Sequence, residues 1–287
     1  MANVSWINTT GGNWDKGANW STGLKPKPAD AVSIDTAAPA TITHPAAIND
    51  TVASLSTAAT DTLSISDGSL TVSGTATLAG AMDISGNASL VLDSTSTMAS
   101  LNFGADGGAL SIDPDATLTI SGPTSVGWGT ISGGTLVTSG ATSVGSLGIL
   151  SDLTWKNTGT LLATGGTLSG VTYDGALTLG DGSFDFLNQN LFVSGGLTLK
   201  NADGTGDGTV TLGGLTGSGG LIFDDSQTID NAIIDLDSSV YRSDINNWYG
   251  GAISDDDTTG SGTAVLTLGS GLTVNASGPF LNVLGFV

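Results

Sequence analysis

From Asp61 onward the chain keeps restating one short phrase, first read as DTLSISDGSLTVSGTATLAGAMDISGNASLVLD. The pairs Leu63/Ile65, Leu70/Val72 and Leu90/Leu92 alternate with Ser, Thr or Asp, and Gly or Asn stands between one pair and the next. Two apolar residues with one residue between them share a face of a strand, and Gly or Asn supplies the turn after it. The phrase recurs almost to Leu236, with two or three strands in each interval of roughly 20 residues, the spacing of parallel β-helix coils. Such a coil cannot bury its apolar side alone and must stack on its neighbours. The pattern therefore predicts an all-β chain folded as a parallel β-helix (β-solenoid), with Leu, Ile and Val inward and Ser, Thr and Asp outward. Strands are predicted near 62–66, 69–73, 76–79, 82–85, 89–92, 100–103, 109–112 and 117–120. Gly-punctuated strands also suit an antiparallel sandwich or barrel, but two-residue Asn-Gly turns are rare here.

Every acidic residue is Asp, with no Glu, a choice that favours turns over helix. The formal net charge is −20, from 26 Asp against five Lys and Arg242. A chain so acidic repels nucleic acid and anionic lipid, which require Lys and Arg. Cations are its natural partners, and Ca²⁺ prefers hard oxygen ligands. The plainer reading is that acidity keeps a Gly/Ser/Thr surface soluble. The chain has no Cys, which excludes thiol chemistry, disulfides and Cys-ligated zinc. No apolar run approaches the ~20 residues that span a bilayer, so no transmembrane segment is expected.

Residues 1–58 differ from the rest of the chain. They hold Trp6, Trp14 and Trp20, the only His, and most of the Pro and Lys. The succession Trp6, Gly12-Asn13-Trp14, Asn19-Trp20-Ser21, Gly23, Pro26, Asp30, Val32 and Ile34 resembles the opening of large secreted bacterial β-helix surface proteins, the autotransporter-type passengers and adhesins. The resemblance spans roughly residues 6–58 and continues only as a repeat style. It implies a right-handed parallel β-helix with a Trp-rich N-terminal cap, placed outside the cell or at its surface, without fixing an activity. A physical reason stands beside it: the first coil of a solenoid has an open end that aromatic rings can cover, while Pro and Lys discourage edge pairing. The rival reading makes Trp14, Trp20 and Trp248 sugar-stacking platforms of a glycan-binding module. Trp128 and Trp155 sit in strand-like positions and read as core plugs.

The organisation expected is a cap (1–58), solenoid coils (59–238) and an irregular closing region (239–287) that leaves the stack or caps it. That region carries Arg242, Trp248 and the triplet Asp255, Asp256 and Asp257. No charged-then-apolar leader precedes Trp6, so a signal has been removed or export takes another route. The tail Pro279–Val287 resembles the apolar endings of proteins exported by bacterial type I secretion, or else is a last core strand.

The metal candidate is Asn201, Asp203, Thr205 and Asp207, oxygen-bearing at alternate positions with Gly206 sixth, as in calcium loops. Position twelve is Leu212 where such a loop has a bidentate Glu, which leaves a weaker site or a plain Asp-rich turn. Asp255, Asp256 and Asp257 and the pair Asp224/Asp225 are second-rank candidates. His44 stands alone, with no Ser/His/Asp arrangement around it in sequence. Asp181/Asp185 or Asp224/Asp225 would have to supply the two carboxyls of an inverting glycosidase, about 6.5–9.5 Å apart. The sequence thus points to a non-enzymatic extracellular structural or adhesive β-solenoid that self-associates into a fibre, matrix or surface layer. A glycan-binding module is the alternative, and a carbohydrate-active enzyme with paired Asp comes third.

Overall fold

A computed structural model describes residues 2–45, 47–180, 188–214, 217–237, 240–242, 247–256 and 264–277, with backbone alone for 188, 240–242 and 247–249. The chain is an all-β parallel β-solenoid of about nine turns with essentially no helix. It forms two compact units, residues 1–142 with 158–160, and residues 143–157 with 161–287. The predicted cap and the coils from Asp61 to Thr142 belong to the first unit.

Three columns of parallel strands build that unit. The first stacks β1 (Asn3–Ser5), β3 (Ala31–Ile34), β6 (Ser54–Thr57), β9 (Ala76–Ile84), β11 (Ser96–Phe103), β13 (Thr117–Ile120) and β16 (Thr135–Thr138). The second stacks β2 (Gly12–Asn13), β4 (Thr41–His44) and β7 (Thr62–Ile65), continues on the later halves of β9 and β11, and reaches β14 (Thr124–Val126). The third stacks β5 (Asn49–Val52), β8 (Ser69–Val72), β10 (Ser89–Leu92), β12 (Ala109–Ile112) and β15 (Thr130–Ser132).

Register follows the sequence phrase. In the third column Leu70, Leu90, Leu110 and Ile131 lie one above the next, all buried, and Val72, Leu92 and Ile112 form a second ladder beside them. Outward rungs are short hydroxyls: Ser5, Ser33 and Ser56 align, and Ser33 Oγ donates to Ser5 Oγ at 3.0 Å. The predicted strands 76–79 and 82–85 are one bent strand. Gly80 sits at the bend, where a Cβ would stand 1.8 Å from the Asp61 carbonyl oxygen. Asp61 itself is buried, and its carboxylate accepts from the Thr36 and Ala40 amides and the Thr36 hydroxyl, tying the 35–40 loop to the next coil.

The second unit repeats the scheme. Gly166–Asp174, Asn188–Lys200, Ser218–Asp224 and Gly251–Asp256 pair in parallel. Ala176–Leu179, Gly208–Leu212, Ala232–Leu236 and Thr273–Ala276 form another column, and Gln227–Ile229 pairs Leu266–Leu268. Trp155 is a core plug as predicted, its ring edge-on to that of Tyr173 at 5.2 Å on the adjacent strand. Trp128 is not: it stands 52% exposed on a turn between Gly127 and Gly129. Short apolar phrasing looks the same whether a residue faces in or tops a corner, and the flanking glycines mark the corner.

Because the ladders are in register, truncating a central rung leaves a cavity that backbone pairing above and below keeps from collapsing. Leu90→Ala is expected to cost about 2–5 kcal/mol in chemical denaturation, while Thr71→Ala on the outer face costs under about 1 kcal/mol.

Candidate functional site

The first coil departs from the apolar rule at two inward positions. In the second column the rung beneath Ile65 and Ile84 is His44, and in the third the rung beneath Leu70 and Leu90 is Asp50. TITH replaces the TLSI of the coil above, and NDTV replaces SLTV. The two polar rungs meet, His44 Nε2 lying 3.2 Å from Asp50 Oδ2. The other ring nitrogen, Nδ1, lies 3.1 Å from the backbone carbonyl of Asp67. A carbonyl and a carboxylate only accept, so it is the protonated imidazole, donating from both ring nitrogens, that satisfies both bonds. The second carboxylate oxygen of Asp50 takes Lys25 Nζ at 2.7 Å, and Lys25 reaches on to Asp15 at 3.2 Å. A relay Asp15–Lys25–Asp50–His44 thus closes the end of the core.

The electrostatics follow from this geometry. Burial works to lower the pKa of His44, but the hydrogen bonds to Asp50 and to the Asp67 carbonyl, with the charges of Asp50 and Asp15, raise it on balance above 6.5. Burial works to raise that of Asp50, and the bonds and charges of His44 and Lys25 bring it below 3.8.

Over this relay lie the three tryptophans of the cap. Trp6 packs edge-on to Trp20 at 4.9 Å and Trp14 to Trp20 at 4.8 Å, with the imidazole of His44 6.1 Å from Trp14. Trp6 Nε1 donates to the Asn8 carbonyl and Trp20 Nε1 to that of Trp14. Trp14 and Trp20 are wholly inside the fold, at 0% and 1% exposure, so neither offers a face to a sugar. Trp248 lies on the Asn247–Tyr249 strand, antiparallel to Val240–Arg242. The one described Trp with a ring in solvent is Trp128, whose sequence pattern reads as core.

Beneath β5 the chain passes as Lys25-Pro26-Lys27-Pro28. Two of these residues have no N–H, so the segment does not pair with β5 as a strand would. It leaves a groove of about 410 Å³ lined by Leu24 to Pro28 and by Asn49, Asp50 and Thr51.

The sequence-predicted metal loop is an exposed turn held by its own bonds. Asp203 Oδ1 accepts from the Thr205 amide (2.9 Å) and hydroxyl (2.8 Å), which lowers its pKa, and the Gly204 amide donates to the Asn201 carbonyl. Asn201 and Asp207 are exposed beside it. Of the second-rank candidates, Asp256 stands in register with Asp224 on the adjacent strand, while Asp255 is in register with the buried Phe223 and turns to the other face. Burial first, then the charges of Asp256, Asp225 and Asp255, push the Asp224 carboxyl up. Asp224 Oδ1 and Asp255 Oδ1 are both shielded from solvent without a hydrogen-bond partner among the described residues. Among the described residues no three His or Asp side chains converge as metal ligands. Asp257, Asp181, Asp185 and the tail Pro279–Val287 lie outside the described residues. No described helix is long and apolar enough to cross a membrane.

Comparison with protein-family models, with curated proteins and with solved structures found no match to this chain.

A pH dependence follows from the buried pair. His44 is raised in the fold, so its contribution is complete below the unfolded value near 6.5 and is lost as pH rises through the higher folded value. Asp50 is depressed, so its contribution is present above 3.8 and is lost as pH falls through the lower folded value. Melting temperature against pH is expected to be highest between 3.8 and 6.5 and to fall as pH rises from 6.5 through the folded value of His44. In His44→Gln the fall above 6.5 disappears, at about 1–3 kcal/mol of stability for the buried bonds removed.

Proposed function

We propose that this chain is a non-enzymatic structural or adhesive β-solenoid that acts outside the cell and associates with its own copies into a fibre, matrix or surface layer. The observation that carries the reading is a set of strands paired on one edge among the described residues: β5 in the first unit, and Gly251–Asp256, Leu266–Leu268 and Thr273–Ala276 in the second. An unpaired strand edge is a template for another chain and needs no special side chain. Register-aligned hydroxyls on the outer face offer many equivalent weak contacts besides. The non-enzymatic part of the reading is supported by His44, whose two ring nitrogens are both spent on structural bonds. The placement outside the cell rests on the resemblance of residues 6–58 to secreted surface proteins.

Calcium is the counter-ion we propose for the acidic surface, with Asp224 and Asp256, in register on adjacent strands, as its first contacts. A cation bound to the folded state alone stabilises it. Millimolar Ca²⁺ is expected to raise the melting temperature and a chelator to reverse this; identical curves would remove calcium from the account.

Electron microscopy of the purified chain, with and without Ca²⁺, tests the assembly itself. Filaments or sheets that grow with protein concentration are expected, and strict monomers under every condition contradict the proposal. Trp128 favours one second reading, a glycan-binding module, with its exposed ring as the stacking platform. That reading requires glycan-array binding that Trp128→Ala abolishes.

A further inference from the structure

The proposal of self-association leaves open which edge receives the partner, and the first coil narrows the choice. Two of its three columns are already covered by the chain itself. Along β1, the Ser21 amide donates to the Ser5 carbonyl and the Ile7 amide to that of Asn19, with Trp6 and Trp20 bridged. At β2, Asn19 Nδ2 donates to the Asn13 carbonyl.

The third column is different. Among the described residues β5 pairs with β8 alone, and the Ser69 and Ser73 amides donate to the carbonyls of Ile48 and Val52. In a parallel ladder alternate residues bond alternate neighbours, so Asn49 and Thr51 direct N–H and C=O away from β8. The next amide pointing that way, that of Ala53, donates to the Asp30 carbonyl at 2.8 Å. Those of Asn49 and Thr51 face the groove above Lys25–Pro28 without a backbone partner among the described residues, and Pro26 and Pro28 have no N–H to offer the Asn49 and Thr51 carbonyls.

We propose that this groove is the receiving site for strand addition by a second copy of the chain, and that the incoming strand is Gly251–Asp256. The inference rests on the self-association reading and names its interface. Charge selects the occupant. Three of the five Lys (Lys16, Lys25 and Lys27) lie within the first 27 residues, whereas eleven Asp follow Lys200. Lys25 is held between Asp15 and Asp50, while Lys27 stands exposed at the groove with no ion pair among the described residues. Among the described one-edged strands of the second unit, Gly251–Asp256 is the one that carries acidic residues, Asp255 and Asp256. Joining the beginning of one copy to the later part of the next is a heterologous contact, and repeated it gives an open polymer rather than a closed dimer.

Sedimentation and light scattering of the whole chain, over a concentration series at low and high salt, test this. Thr51→Pro removes one groove-facing N–H that no strand uses and blocks the edge, a substitution edge strands tolerate. The wild type is expected to associate with a midpoint that rises with salt, and Thr51→Pro to stay monomeric with an unchanged melting temperature. Lys27→Glu is expected to shift the midpoint about fivefold upward, and the swap Lys27→Glu with Asp256→Lys to restore it. If Thr51→Pro associates as the wild type does, the groove assignment is overturned while self-association stands. A wild type that never associates overturns both. If Thr51→Pro fails to fold, Lys27→Glu decides: an unshifted midpoint overturns the assignment. If the charge swap fails to restore association, a different strand fills the groove and the named occupant is overturned.

Discussion

Hydrogen bonding between successive coils is the interaction on which everything else in this fold depends. Each strand satisfies half of its backbone groups from the coil below and half from the coil above, and the side chains stack in register as a consequence. Inside the stack this condition is met automatically, which is why Leu70, Leu90, Leu110 and Ile131 suffice as a core. At the first coil it fails on one side. Aromatic bulk, a charged pair and prolines are concentrated there for that reason.

The three devices address different parts of the same end. Trp6, Trp14 and Trp20 shield the core, and the strand edges of β1 and β2 are answered by the loop around Asn19 and Ser21. His44 and Asp50 occupy inward rungs whose other side meets Trp14 and Lys25 rather than a further ladder of Leu and Ile. A buried ion pair is costly to desolvate, and its usual merit is to fix one arrangement over others. Here it joins two columns to the Asp67 carbonyl and, through Lys25, to the segment that lines the groove. The same logic explains where scarce positive charge goes in a chain of net charge −20: Lys25 completes the cap, and Lys156 pairs with the buried Asp174.

Much of this architecture is legible in the residues alone. The pairs Leu63/Ile65, Leu70/Val72 and Leu90/Leu92 announce period-two strands, and turn residues set the coil length, so the parallel stack is the natural reading. The strand from Ala76 to Ile84 reads as two because Gly80 looks like a turn; its backbone instead passes against the Asp61 carbonyl, a contact no local pattern reveals. Trp128 reads as core because periodicity does not distinguish a corner from an inward rung. His44 looks solitary because its partner is set by register. Aligning TITH on TLSI and NDTV on SLTV shows both polar residues replacing apolar rungs of one coil. The acidic candidates show the converse: Asp224 and Asp256 lie about 30 residues apart in the chain and meet through a strand register that spacing alone does not give.

Among the described residues the first coil is closed over two columns and open along the third. Native-state amide exchange at low protein concentration tests it residue by residue. The amides of Trp6 and Trp14, which donate to the Ser33 and Thr43 carbonyls, and those of Asp50 and Val52, which face β8, should exchange slowly. Those of Asn49 and Thr51, which alternate with them, should exchange at close to unprotected rates. Uniform protection across Asn49–Val52, or rapid exchange at Trp6 and Trp14, would contradict the account.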